Sequence, residues 1–146
     1  MSVFLLGLVL SFSAQTFAER TKLEQTNIDL VTEFYNIALN DKNAEKARSY
    51  LGDVYIQHNP VAQDGPEGLV GFVNYLKNQF PQNHNEIKKA FADGDYVFLH
   101  VLSKRTPDSR GNAIVDIFRL ENGKIVEHWD VIQEIPEKSA NNNTMF

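Results

Sequence analysis

Between Ala113 and Gln133 the chain reads AIVDIFRLENGKIVEHWDVIQ, two runs of alternating apolar and polar residues joined by Glu121-Asn122-Gly123-Lys124. Asn-Gly between such runs is the strongest short-range signal for a β-hairpin. Strand alternation then sorts the side chains. In the second run Val126, His128, Asp130 and Ile132 point one way, and Ile125, Glu127, Trp129, Val131 and Gln133 the other. In the first run Ile114, Asp116, Phe118 and Leu120 share a side, opposed to Val115, Ile117 and Arg119. A two-residue turn would set Phe118 against Glu127 and Asp116 against Trp129. A three-residue loop, with Gly123 as a left-handed bulge residue, sets Phe118 against Val126, Asp116 against His128 and Ile114 against Asp130. The second register is preferred, because it joins apolar to apolar and acid to imidazole. It predicts one face bearing Asp116, His128 and Asp130 among Ile114, Phe118, Val126 and Ile132. Ionisable groups on an apolar surface are what acid–base chemistry requires. A His–Asp pair that merely ties two strands together has the same signature.

At 146 residues the chain is long enough for one domain with a real core. A formal charge of −5, with no basic stripe, argues against nucleic acid or an anionic membrane as partner. With no cysteine, disulfides, thiolate catalysis and Cys-type zinc sites are excluded. Val3 to Ser13 (VFLLGLVLSFS), followed by Thr16-Phe17-Ala18, has the form of a signal peptide, though no Lys or Arg precedes it. It is too short for a stable membrane span. The expected location is periplasmic or secreted, otherwise cytoplasmic.

Ahead of the hairpin the pattern is mostly helical. Glu19 to Gln25 reads as a polar lead-in, and Thr26-Asn27 with Asp29 opens a helix ending near Asn40, whose apolar stripe includes Tyr35. A phenol on a core face needs a partner, most often a backbone carbonyl. Asn43 to Leu51 reads as a shorter helix. Val54 to His58 reads as a strand, in which Tyr55, Gln57 and Asn59 alternate with Val54, Ile56 and His58, and Pro60 ends its pairing. Pro66 starts a third helix with the stripe Leu69, Phe72, Val73, Leu76 and Phe80, closed by Pro81. Strands follow at Glu86 to Ala92 and Asp95 to Lys104. In the latter Tyr96, Phe98, His100 and Leu102 oppose Val97, Leu99, Val101 and Ser103, and both faces expect cover. Helices first and antiparallel strands after make the class α+β.

With His58-Asn59-Pro60, the DGPEG loop at Asp64 to Gly68, and GKIVEHWDVIQ at Gly123 to Gln133, the chain from about Asn27 to Ile135 resembles the SnoaL-like branch of the nuclear-transport-factor-2-like superfamily. The resemblance implies a cone-shaped roll, in which a strongly bent antiparallel sheet wraps around three helices and encloses a pocket. The namesakes are polyketide cyclases, which close a ring by intramolecular aldol condensation without metal or cofactor. Relatives on the fold include isomerases, dehydratases, epoxide hydrolases and non-catalytic modules. Carried over, the proton shuttle corresponds to Asp130, and His128 matches a pocket imidazole. Asp116 stands where cyclases have another polar pocket residue, often histidine. His58 and Asn59 match the turn at the pocket rim. The implied domain spans 19–136, between a leader at 1–18 and a flexible tail at 137–146.

Two functions follow as expectations. One is a cofactor-independent enzyme of enolate chemistry, acting on a small apolar carbonyl compound. Asp130 takes the proton and His128, backed by Asp116, serves the oxygen. Tyr35, Phe72, Leu76, Phe98, His100 and Phe118 complete the pocket. The other is a binding domain that holds a small ligand with the same groups. Metal-assisted hydrolysis through His58, His100 and His128 lacks the usual ligand spacing, so no metal is expected. Finally, Val97, Leu99, Val101, Val115, Ile117, Ile125, Trp129 and Val131 are expected to form an apolar outer face that a two-fold homodimer buries.

Overall fold

The computed structural model describes residues 20–146; the apolar N-terminal run lies outside them. Helix α1 spans Lys22–Tyr35. Thr21 caps it: its hydroxyl accepts the Glu24 N–H at 3.2 Å, while the Glu24 carboxylate accepts the Thr21 N–H at 2.8 Å. This reciprocal pair starts the helix more than a turn earlier than Thr26-Asn27 suggested, because Thr21 and Glu24 have the same capping-box spacing. After Tyr35 the helix widens into a π-helical turn, Asn36–Asn40, closed by the Asp41 N–H donating to the Asn36 carbonyl at 2.9 Å. Such turns insert one residue and re-aim those around it. Helix α2 is Ala44–Arg48, capped by Asn43. Leu51, expected in that helix, instead opens strand β1, Leu51–Gln57. Its buried place beside Ile125 in the sheet outweighs a weak helical preference. Helix α3 runs Gly65–Gln79, with Asp64 at its N-cap and Pro66 in its first turn. A Cβ at Gly68 would lie 2.2 Å from the Gln63 carbonyl oxygen, so only glycine lets the loop and helix close so tightly.

Strands β2 (His84–Asp93), β3 (Tyr96–Lys104), β4 (Asn112–Glu121) and β5 (Lys124–Glu134) form an antiparallel meander, and β1 adds to β5 in parallel. The sheet order is β1-β5-β4-β3-β2. Bulges interrupt β2 near Lys88 and β5 near Val126. A bulge bends its strand and raises the local twist, which curls the sheet around the helices.

The β4–β5 turn is the two-residue form, not the three-residue loop. Asn122 and Gly123 both have positive φ (+50° and +72°), and Glu121 pairs with Lys124. Leu120 pairs with Ile125 but Arg119 with Glu127, so Val126 is the extra residue of a bulge. The extra residue restores the parity that a two-residue turn alone would have lost. Asp116 therefore opposes Asp130, Phe118 opposes His128 and Ile114 opposes Ile132, rather than Asp116 facing His128. Asp116, His128 and Asp130 still share one face, and Ile125 joins them on it.

That face is the inner one. Val97, Leu99, Val101 and Ile125 are wholly buried against the helices, not part of an outer face as their alternation alone suggested. The reason is register: Leu99 opposes Asp116, so Phe98 and His100 fall on the outside with Ile117 and Val115. Phe34 and Tyr35 of α1 meet Phe118 edge-on at 5.9 and 6.3 Å. Burial of each such large side chain contributes about 1.5–3 kcal/mol. Beyond β5 the last residue, Phe146, lies against His100 on the outer face, with ring centroids 5.1 Å apart.

Candidate functional site

Between α1, α3 and the inner face of the sheet lies a cavity of about 180 Å³. An apolar cavity of about 150 Å³ is enough to take up benzene. Its floor is made by Tyr35, Asp116, Phe118 and His128, all at most 8% exposed, and its mouth by Val61, Phe72 and Ile132, all exposed.

The floor is a continuous hydrogen-bonded set. Asp116 accepts the Tyr35 hydroxyl at 2.9 Å on one oxygen and lies 3.1 Å from His128 Nε2 on the other. On the far side of the ring, His128 Nδ1 is 2.9 Å from Gln57 Oε1. That oxygen also accepts the Asn59 backbone N–H at 2.9 Å. Gln57 must therefore present its carbonyl, and Nδ1 must carry a proton to donate. Nε2 meets Asp116 Oδ1 across a single hydrogen bond. Phe118 covers the imidazole at 4.7 Å.

Asp130 sits beside this pair in a different environment. Its two oxygens accept one amide, Asn59 Nδ2, at 2.9 and 2.7 Å. Asn59 is itself held, because its Oδ1 accepts the Val61 N–H at 2.9 Å in the turn through Pro60. Asp130 is thus the less enclosed acid, with lone pairs left for a guest, whereas Asp116 is 5% exposed and occupied on both oxygens. Burial, reinforced by the Asp116 carboxylate, pushes the Tyr35 phenol well above its ordinary value, so it remains a donor. Tyr55 is raised too, chiefly by burial and then by Asp116 and Asp130.

Asp116, His128 and Asp130 each offer one ligand atom, all within 4.8 Å of one another. A cation there would have to break the His128–Asp116 contact or compete with Asn59, since both acids already have protein partners.

The structure brings Tyr35, Asn59, Phe72, Leu76, Asp116, Phe118, His128 and Asp130 around one cavity. It does not bring His58, Phe98 or His100 there. His58 stacks on Trp129 with centroids 4.5 Å apart and bonds Glu127 at 2.8 Å, both on the outer face. The alternation of β1 explains this, for it puts Asn59 inside and His58 out. Three histidines therefore do not converge on one ion. Sequence reasoning also passed over Gln57, whose signal was its shared side with Tyr55 and Asn59. Asn83, Asn85, Ser103 and Arg105 line the cavity as well and carried no motif.

No helix among the described residues is long and apolar enough to cross a membrane. Among curated proteins none matches this sequence. Solved structures do resemble it. A protein from Jannaschia sp. CCS1, named as a candidate SnoaL-like polyketide cyclase, aligns with a TM-score of 0.63 at 17% identity, over 80% of this chain and 91% of that one. A candidate ketosteroid isomerase from Kribbella flavida aligns with a TM-score of 0.65 at 16% identity, over 81% and 85%. TsrD from Streptomyces laurentii aligns with a TM-score of 0.64 at 19% identity, over 76% and 91%. At these identities the likeness is one of fold. Residues 31–128 match the SnoaL-like domain, from the middle of α1 to the imidazole of the site. With a bent sheet around helices, a closed polar floor and that match over most of its length, the chain belongs to the SnoaL-like family.

Proposed function

We propose that the protein is a cofactor-independent acid–base enzyme that enolises a small carbonyl compound, as a polyketide-cyclase-type aldol condensation requires. The observation that carries this reading is the unequal partnering of the two acids in one apolar cavity. Asp130 has one amide donor and faces the guest, while Asp116 is locked to Tyr35 and His128. Pairs of titratable groups in contrasting environments divide acid and base roles. Asp130 takes the proton from the carbon α to the carbonyl, and the C–H electron pair becomes the enolate. As the guest binds, His128 Nε2 exchanges the Asp116 contact for the guest's oxygen and delivers the proton of that hydrogen bond to it. In the condensation the enolate carbon instead attacks a second carbonyl of the same molecule, forming the C–C bond, and the new alkoxide takes that proton. General acid–base contributions of this type are worth about 10²–10⁴ in rate.

The test is deuterium uptake from D₂O at the α-carbon of small ketones and 1,3-dicarbonyls, followed by NMR. Wild-type protein is expected to accelerate it, and Asp130→Asn to lose roughly 100-fold or more of that acceleration. Ligand retention without exchange favours the second reading, a binding domain of the same fold, which the apolar walls of the cavity also support. We also propose a two-fold dimer through the outer face, supported by exposed Phe91, Tyr96, Val115 and Val131. Export through the apolar N-terminal run belongs to the same proposal, and N-terminal sequencing of the mature protein tests it.

A further inference from the structure

We infer that the cavity is built for a ligand with a carboxylate at the end opposite its reacting carbonyl, held by Arg105 and Ser103. This rests on the reading of the cavity as a ligand site, and it names the class of ligand.

Ser103 lies on the inward-facing side of β3 and Arg105 one residue past the end of that strand, and both line the cavity. Ser103 is 7% exposed, and its hydroxyl, which no hydrogen bond to a described residue occupies, is not sealed off from the cavity it lines. A hydroxyl open to a cavity can donate to a guest's oxygen. Arg105 is the sole Lys or Arg among the described lining residues. It enters none of the salt bridges formed by the described residues. Its guanidinium lies 5.1 Å over the Phe80 ring, a contact that positions the cation without neutralising it. The Arg fork matches a carboxylate through two parallel N–H···O bonds.

The spacing sets the shape of the ligand. Leu99 opposes Asp116, and Ser103 lies four residues further along the same strand. At about 3.3 Å per residue the anion would sit roughly 13 Å from the floor, less the reach of the side chains inward. Between them the cavity is lined by apolar Ile114, Leu76 and Phe72, with Asn83 and Asn85 at the Ser103 end. A flat keto acid with a rigid apolar middle spans that distance.

The experiment compares 4-acetylbenzoate with 4-methylacetophenone, its uncharged counterpart, by calorimetric and NMR titration of the full chain. Wild-type protein is expected to bind the acid roughly 10- to 100-fold more tightly. Arg105→Gln should bring the ratio of acid to neutral-ketone affinity down to near one. Arg105→Lys should keep part of it, and Ser103→Ala should weaken the acid selectively. Equal binding of both probes by the wild type, binding of neither, or a preference that survives Arg105→Gln overturns the inference. Deuterium exchange at the acetyl group is read in the same samples. Charge preference without exchange removes the enzymatic reading and keeps the anion site. Exchange without charge preference does the opposite.

Discussion

Asp116 shows how much one carboxylate can depend on residues far away in sequence. Its hydroxyl partner Tyr35 comes from α1, and its imidazole partner from β5. Tyr35→Phe removes one donor from a buried acceptor, which costs about 1–3 kcal/mol. Urea unfolding at neutral pH should therefore show a lower midpoint with an unchanged slope. Glu127, on the outer face, gives the pH dependence. The His58 hydrogen bond, with Arg119 adding to it against the opposing effect of burial, holds its carboxyl below the ordinary value of 4.5. A depressed folded-state value means the unfolded chain takes up the proton first as pH falls. The contribution is therefore fully present above about pH 5 and lost as pH drops below 4.5 through the folded value. Glu127→Gln should flatten the urea midpoint over that acid range, and an unaltered acid profile in the variant would count against this account. The acids and imidazole were legible as residues because alternation put them on one side. Tyr35 was legible only as a buried phenol, since nothing local marks the acid 81 positions away that accepts its hydrogen bond.

At the scale of elements, the β4–β5 hairpin turns on a single inserted residue. The Asn-Gly turn and both strands were readable from alternation, but the bulge at Val126 was not, because no local residue type demands it. A tight turn twisting with its strands is favoured locally, and the bulge then lets the polar trio face the core. Deleting Val126 should shift His128, Trp129 and Asp130 by one position relative to β4, turning Trp129 inward and the two polar groups out. The expected result is loss of the cooperative thermal transition in circular dichroism; a deletion variant with the wild-type melting temperature would overturn this role. The helix boundaries were misplaced for a similar reason. Two capping-box spacings, Thr21 to Glu24 and Thr26 to Asp29, stand side by side near the start of α1, and the first is the one formed.

For the molecule as a whole, the helices among the described residues cover one face of the sheet and not the other. On that open face Val131 is 69% exposed and Phe91 57%. Apolar surface of this kind on one face is suited to a two-fold contact. Val131→Glu is expected to convert a dimer to a monomer in sedimentation at micromolar concentration, with little change in far-ultraviolet dichroism. A wild-type monomer under those conditions excludes the proposed interface. Alternation by itself determined which residues of each strand travel together, the turn between β4 and β5, and the polar trio's common side, because period two is a property of the local backbone. Only the tertiary structure decided which side of β3 meets the helices, that His58, Phe98 and His100 lie outside, and that Ser103 and Arg105 open onto the cavity. Those outcomes depend on cross-strand register and on chain closure over many residues, and no local window contains either.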